Sequence, residues 1–308
     1  MDTLAVQKIL VPIDFSDASM NALHTAIRMA KRQHAQLILV HIININPLLD
    51  IDSDKMINDL NVQNHVDTHQ NNLRKLADKI TNEEFIDCRV CIRTGLVHIE
   101  IVRAAIDFYA DLIIMGKQGV SGISEFLIGS NTFNVLKNAV CPVLTIPSHQ
   151  KFEDFKTVVY PIRPVTGAIE KYDLARNIIR ENNAELVIIG LLENTDKKSF
   201  ETLNTETAQL NKKLKEDKME AQTYFYFSNS IAEKVLEKTS DFMADLLIIT
   251  ATIDRQIQDY VIGPFAKQIL HYARIPVLSI RSKSSKIVDK GSVDSPDNHY
   301  PVSMLGII

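Results

Sequence analysis

The stretch Lys8-Ile-Leu-Val-Pro-Ile-Asp14 returns as Thr157-Val-Val-Tyr-Pro-Ile-Arg163, with Pro12 and Pro161 separated by 149 positions. At the same offset, Ala35-Gln-Leu-Ile-Leu-Val-His41 returns as Ala184-Glu-Leu-Val-Ile-Ile-Gly190. Further along, Ala110-Asp-Leu-Ile-Ile-Met115 matches Ala244-Asp-Leu-Leu-Ile-Ile249, and Pro142-Val-Leu matches Pro276-Val-Leu, both at an offset of 134. Two constant offsets over four segments mark an internal duplication. The difference between them places a shortening of 15 residues in the middle of the second copy. The chain therefore divides into two repeats, 1–148 and 152–282, joined by the polar stretch Ser148 to Asp154. A polar C-terminal tail over 283–308 follows, read as linker or disorder from its Ser, Lys, Asp and Pro content.

Within the first repeat, short runs of Val, Ile and Leu occupy 9–13, 37–43, 90–93, 112–115 and 143–146. Runs of this length and kind are strands buried on both faces, the mark of a parallel sheet. Helical patterns separate them, over 17–31, 62–80, 97–108 and 132–139. Ala18, Ala22, Ala26 and Ala30 recur every fourth residue, a small-residue stripe suited to close packing on a sheet. The stretch 62–80 is more polar and predicts an exposed helix. Strand–helix alternation implies right-handed crossovers and a helix-covered sheet. The predicted fold class is α/β: two tandem repeats, each an open five-stranded parallel sheet flanked by helices.

Composition narrows the function. Hydrophobic residues make up 45% of the 308 and charged residues 23%, enough for a packed core. A net charge of −4 offers no general basis for binding nucleic acid. No apolar run reaches the ~18 residues of a membrane span. No secretory signal is evident at the N-terminus. Three cysteines form no disulfide framework, so a cytoplasmic protein is expected. Trp is absent and aromatics are 6%, which weakens any reading based on aromatic stacking of bases or sugars.

In open parallel sheets, ligands bind beyond the carboxyl ends of the strands, where strand order reverses. The fourth strand of the first repeat ends in Met115-Gly116-Lys-Gln-Gly119, and nine residues later Gly129-Ser130-Asn131 opens a helix. Glycines let a ligand approach the backbone, and a helix N-terminus offers free N–H groups to phosphate. Ser130 adds a hydroxyl donor or caps the helix. The pattern is not a P-loop, because Gly-x4-Gly-Lys-Ser/Thr is missing.

Gly116-x2-Gly119-x9-Gly129-Ser130, followed by a short helix and Cys141-Pro-Val-Leu-Thr-Ile146, resembles the ATP-binding signature of the universal stress protein family. Ile9-Leu-Val-Pro-Ile-Asp-Phe-Ser16 resembles that family's first strand and turn. The resemblance covers both repeats and implies the adenine nucleotide α-hydrolase-like, Rossmann-like fold. It implies that Pro12, Ile13 and Asp14 meet the adenosine end of the nucleotide, and that the backbone of Ile42 meets the adenine. It places Met115 and Gly116 near the ribose and first phosphates, and Gly119, Gly129, Ser130 and Asn131 around the phosphates. The implied cofactor is ATP, with Mg²⁺ held through its phosphates rather than by protein ligands. Asn131 and Ser124-Glu125 depart from the family pattern, which more often has an apolar residue and basic residues there.

The second repeat departs further. By the two offsets, Gly116 corresponds to Thr250, Gly119 to Ile253, Gly129 to Gly263, Ser130 to Pro264 and Asp14 to Arg163. Side chains replace glycines, a cation replaces the carboxylate, and a proline removes an N–H at the helix start. A structural role is expected for this repeat; Arg163 facing an anion is the alternative.

Other constellations carry less. Cys88-x2-Cys91 lies in a predicted strand, where residues three apart face opposite sides, so core or edge thiols are expected. His65 and His69 have helical metal-ligand spacing without a third ligand, and His41 is expected to pack or to satisfy a local hydrogen bond. No catalytic residue or metal ligand is assigned. The expected function is that of an ATP-binding stress-response regulator or sensor. A weak ATPase, for which Glu125 is the nearby carboxylate, and a nucleotide-free interaction module are the alternatives. For assembly, the family resemblance points to edge strands 143–146 and 277–280 pairing the repeats as an internal pseudo-dimer. A homodimer of whole chains is compatible with this, and no protein partner is implied.

Overall fold

The computed structural model describes residues 5–43, 59–117, 128–148, 151–165, 167–193, 196–251, 253–254 and 261–281. Gly119, Ser124, Glu125 and the tail over 283–308 lie outside the described residues. The first repeat runs β1 (Lys8–Pro12), α1 (Asp17–Gln33), β2 (Gln36–Ile43), α2 (Asp59–Glu84), β3 (Cys88–Thr94), α3 (Val97–Asp107), β4 (Leu112–Gly116), α4 (Ser130–Asn138) and β5 (Val143–Ile146). The second runs β6 (Thr157–Ile162), α5 (Ala168–Glu181), β7 (Glu185–Leu192), α6 (Lys197–Glu216), β8 (Ala221–Phe227), α7 (Ile231–Asp241) and β9 (Leu246–Thr250). It continues through a small hairpin of β10 (Ile253–Asp254) and β11 (Val261–Ile262), then α8 (Pro264–Tyr272) and β12 (Val277–Ile280).

Each repeat holds five parallel strands, in the orders β3-β2-β1-β4-β5 and β8-β7-β6-β9-β12. The two sheets meet edge to edge at the strands expected to pair the repeats. They fuse into one ten-stranded sheet because β5 and β12 pair antiparallel, Leu144 opposite Leu278 and Val143 opposite Ser279. Leu144 and Leu278 are equivalents at the offset of 134, so a pseudo-two-fold axis passes between them. Helices cover both faces. Buried side chains of α1, α2, α5 and α6 form one core with one face of the sheet, and those of α3, α4, α7 and α8 form the other. Strands buried on both sides explain why their sequences are continuous apolar runs rather than alternating ones.

The duplicated Ala-Asp-Leu motif has a mechanical purpose. The Asp111 carboxylate accepts the backbone N–H groups of Gln7 and Lys8, each at 2.9 Å. Asp245 accepts those of Lys156 and Thr157 at 2.7 and 2.9 Å. Each aspartate thus sets the entry of the central strand of its repeat. The alanine stripe of α1 is buried as its spacing predicts. The linker differs from its polar reading: Phe152 and Phe155 are buried, and the Thr25 hydroxyl donates to the Phe152 carbonyl at 3.0 Å. Arg32 pairs with Asp154 at 2.5 Å, so the connection is packed along α1. The alternation of Phe with Glu, Asp and Lys had masked these two core residues.

The helix C-termini at the junction are capped from the opposite repeat. Lys117 donates its ammonium protons to the carbonyls of His271 and Ala273 at the end of α8, at 2.7 and 3.0 Å. Arg281 donates to the Ala139 carbonyl at the end of α4, at 3.1 Å. Cations suit the negative end of a helix dipole. Burial pulls the Lys117 pKa down to about 8, from 10.5.

Two outcomes follow. The fragment 1–148 exposes the apolar edge of β5 and loses its cover, so it self-associates or aggregates in sedimentation experiments; a stable monomer contradicts the pairing. Lys117 binds its proton more tightly in the unfolded chain than in the folded one. Wild-type stability relative to Lys117→Met therefore rises as pH climbs from about 8 to about 10.5, by on the order of 3 kcal/mol. Urea titrations across that range measure it, and a flat difference contradicts it.

Candidate functional site

In the first repeat the strand order reverses between β1 and β4, and the site lies beyond their carboxyl ends. Backbone geometry there begins with His41 at the end of β2. Its buried ring places Nδ1 2.7 Å from the Ile13 carbonyl oxygen, while the Ile13 N–H donates to the Val40 carbonyl at 2.8 Å. Nδ1 then carries the proton and donates it. These bonds hold the exit of β1. Asp14 follows, and its Oδ1 accepts the N–H of Ser16 at 3.0 Å and its hydroxyl at 2.5 Å. Ser16 in turn caps α1, accepting the Ser19 N–H. Between them Phe15 sits in the left-handed region at φ 62°, uncommon for a side chain of this size. Its ring lies 5.5 Å from that of His41 and 6.3 Å from that of His69, and the two histidine rings stack at 4.4 Å. His69 is thus part of a ring cluster; the side chain of His65 is outside the described residues.

The end of β4 is fixed by contact with α1. A Cβ on Gly116 would stand 2.8 Å from the Ala18 carbonyl oxygen and 2.9 Å from its carbon. Gly116 therefore permits the close approach of strand and helix, and the first alanine of the stripe completes it. The Gly116 carbonyl accepts the Thr132 hydroxyl at 3.0 Å, and the Gly129 N–H donates to the Lys117 carbonyl at 2.9 Å. These two bonds seat the start of α4 over β4. Gly129, not Ser130, is the cap residue of α4; it brings no side-chain acceptor, and Ser130 is the first helical residue. The first N–H groups of this helix have no intrahelical partner and face outward at its positive end.

Together these elements enclose a cavity of about 340 Å³, within the range of small-molecule sites. Pro12, Ile13, Asp14, Ile42, Met115, Gly116, Gly129, Ser130 and Asn131 all line it. Only Gly119 among the sequence-nominated residues is missing, being outside the described residues. Ser19, Val97, Ile101 and Thr132 complete the wall. Val97 and Ile101 belong to the stretch 97–108, which the sequence marks only as a helix. The first turns of α3 thus form part of the cavity wall. A larger open groove, about 720 Å³, runs between α1 and α2 past Met20, His24, Leu76 and Ile80. It follows the flanks of the two helices, with Ser148 and Lys151 beside them. Among the described residues no group of His, Cys, Asp or Glu is arranged to hold a metal ion. Burial pushes the Cys88 and Cys141 thiols up to about 12, which makes them packing residues rather than nucleophiles.

The equivalent place in the second repeat is filled from within. Arg163, at the position of Asp14, lays its guanidinium 4.2 Å from the centre of the Phe265 ring. Phe265 stands where the first repeat has Asn131. Burial lowers the Arg163 pKa against the opposing pull of Glu193. Lys171, at the position of Ala22, is buried with its ammonium 2.6 Å from the Pro161 carbonyl and 3.8 Å from the centre of the Tyr160 ring. Pro264 takes the first position of α8, where it has no N–H to offer. The close helix–strand approach is also rewritten. Thr250 replaces Gly116, and Gly167, at φ 118°, replaces Ala18.

The sequence profile of the universal stress protein family matches residues 5–147. A universal stress protein of Methanocaldococcus jannaschii is 31% identical over 148 residues, 47% of this chain and 84% of that protein. The chain belongs to the universal stress protein family. Universal stress protein YxiE of Bacillus subtilis is 29% identical over 147 residues, 45% of this chain and 97% of that protein. A solved universal stress protein of Archaeoglobus fulgidus shares the fold, with a TM-score of 0.73 at 19% identity, covering 91% of this chain and 99% of that one. Among the described residues no helix is long and apolar enough to cross a membrane.

Gly116→Ala tests the strand–helix contact. It is expected to destabilise the protein by about 1–3 kcal/mol in urea unfolding, because two backbone segments must separate. A neutral substitution contradicts the contact.

Proposed function

We propose that this universal stress protein binds one ATP per chain, in the first repeat, and acts as a nucleotide-dependent regulator or sensor in the stress response. The observation that carries this reading is the convergence of nine sequence-nominated residues on one cavity at the β1–β4 switch point, facing the start of α4. Pro12, Ile13, Ile42 and Val97 give it an apolar end suited to adenine. Asp14 offers carboxylate lone pairs to an amine or a ribose hydroxyl. The N–H groups at the start of α4, with the hydroxyl of Ser130 beside them, suit phosphoryl oxygens. Mg²⁺ bound through the phosphates needs few protein ligands. Hydrolysis would need a group orienting water at the terminal phosphate. Asp14 is the only titratable side chain lining the cavity among the described residues, and it belongs to the nucleoside end. Binding and signalling is the reading proposed, with weak hydrolysis as the alternative.

Calorimetry with Mg²⁺ and ATP is expected to give one site per chain. Gly129→Val abolishes binding by filling the space of a phosphate, and Thr250→Gly in the second repeat leaves it unchanged. Two equivalent sites, or full affinity in Gly129→Val, contradict the proposal.

A further inference from the structure

Among the described residues the fused sheet ends in two edge strands, β3 and β8, and they are built differently. Strand β3 carries Arg89 and Arg93, and Arg93 reaches Asp107 at 2.6 Å and Glu100 at 3.6 Å. Charges on an edge strand deter pairing with another chain. Strand β8 reads Ala221-Gln-Thr-Tyr-Phe-Tyr-Phe227, with no charge and four consecutive aromatics. Phe225 and Phe227 are 51% and 59% exposed, and Phe200 on the adjacent α6 is 49% exposed.

The polarity of this edge follows from its bonds to β7. The Ser228 N–H donates to the Leu192 carbonyl at 3.0 Å, so the even-numbered backbone groups of β8 point inward. Ala221, Thr223, Phe225 and Phe227 therefore present their N–H and C=O groups outward. An antiparallel copy of the same strand, related by a two-fold axis at Tyr224, meets these groups in register. Thr223 then faces Phe225 and Ala221 faces Phe227 as hydrogen-bonded pairs. On that face each large ring meets a small residue, so the strand is complementary to itself. On the other face Gln222 meets Tyr226 and Tyr224 meets its own copy.

We propose that β8 is a homodimerisation edge, joined antiparallel to β8 of a second copy of this chain about Tyr224. The sheet continues across the two molecules. This surface is separate from the nucleotide cavity and independent of the proposal made for it. One strand offers about 23 Å of edge at ~3.3 Å per residue, a contact one strand wide. The dimer is accordingly reversible and concentration-dependent.

Sedimentation velocity of the full chain over a micromolar concentration series tests this. A monomer–dimer equilibrium is expected, and Thr223→Lys, which places a charge on the outward edge, weakens it at least tenfold while the circular dichroism spectrum stays unchanged. Register is tested by oxidative cross-linking. Tyr224→Cys joins two chains, since its Cα atoms lie about 4.5 Å apart in such a pair, whereas Gln222→Cys does not. A chain that remains monomeric overturns the proposal. So does dimerisation unaffected by Thr223→Lys, or cross-linking at 222 in place of 224. A monomer whose amides at 223, 225 and 227 are nonetheless protected from hydrogen exchange assigns the edge to a segment of the same chain, and equally overturns it.

Discussion

The antiparallel pairing of β5 with β12 is the constraint on which the arrangement depends. A five-stranded parallel repeat ends in a short strand that is apolar on both faces, and such an edge needs a partner. Duplication supplies it within the molecule, with Leu144 and Leu278 meeting at the pseudo-two-fold axis. Once that pairing is set, the C-termini of α4 and α8 lie within reach of the opposite repeat. Arg281 and Lys117 use that proximity to cap them. Phe152 and Phe155 tie the connection into the core, so the repeats form one body rather than two beads. The same pairing leaves β3 and β8 as the sheet's outer edges.

On this symmetric skeleton the two sites have opposite contents. The first is a cavity walled by strand ends and open toward the start of α4. In the second, a guanidinium and an aromatic ring satisfy each other, and proline removes a donor from the helix start. The change extends to the packing beneath. In the first repeat the glycine lies on the strand and the alanine on the helix; in the second the glycine precedes the helix and the strand carries threonine. The surface presented at the strand end differs accordingly. The fold of the second repeat persists through these changes because its buried strands and its aspartate clamp are kept.

Much of the fold was legible because its signals are local. Doubly buried strands read as apolar runs, the alanine stripe of α1 marked the close helix, and repeated Ala-Asp-Leu and Pro-Val-Leu segments fixed the alignment of the copies. The nominated site residues shared a position at strand ends, which is why most of them meet in one cavity. What escaped depended on contacts between distant segments. Phe152 and Phe155 are spaced among charges and gave no period. Gly116 is required by the carbonyl of Ala18, nearly a hundred residues away, before any ligand is considered. The pairing of Arg163 with Phe265 joins the two ends of the second repeat and has no sequence pattern. Ser130 looked like the cap of α4 because serine is a good one, whereas the seating of Gly129 on Lys117 gives that place to the glycine.

The central claim is that one repeat holds the nucleotide and the other cannot. Hydrogen exchange of the intact protein, with and without Mg²⁺ and ATP, tests it at both sites in a single measurement. Protection is predicted around Ile13 and Asp14 and across Ser130, Asn131 and Thr132, with none at Arg163 or at Phe265 and Ala266 at the start of α8. Equal protection in both repeats, or protection confined to the second, would contradict the account.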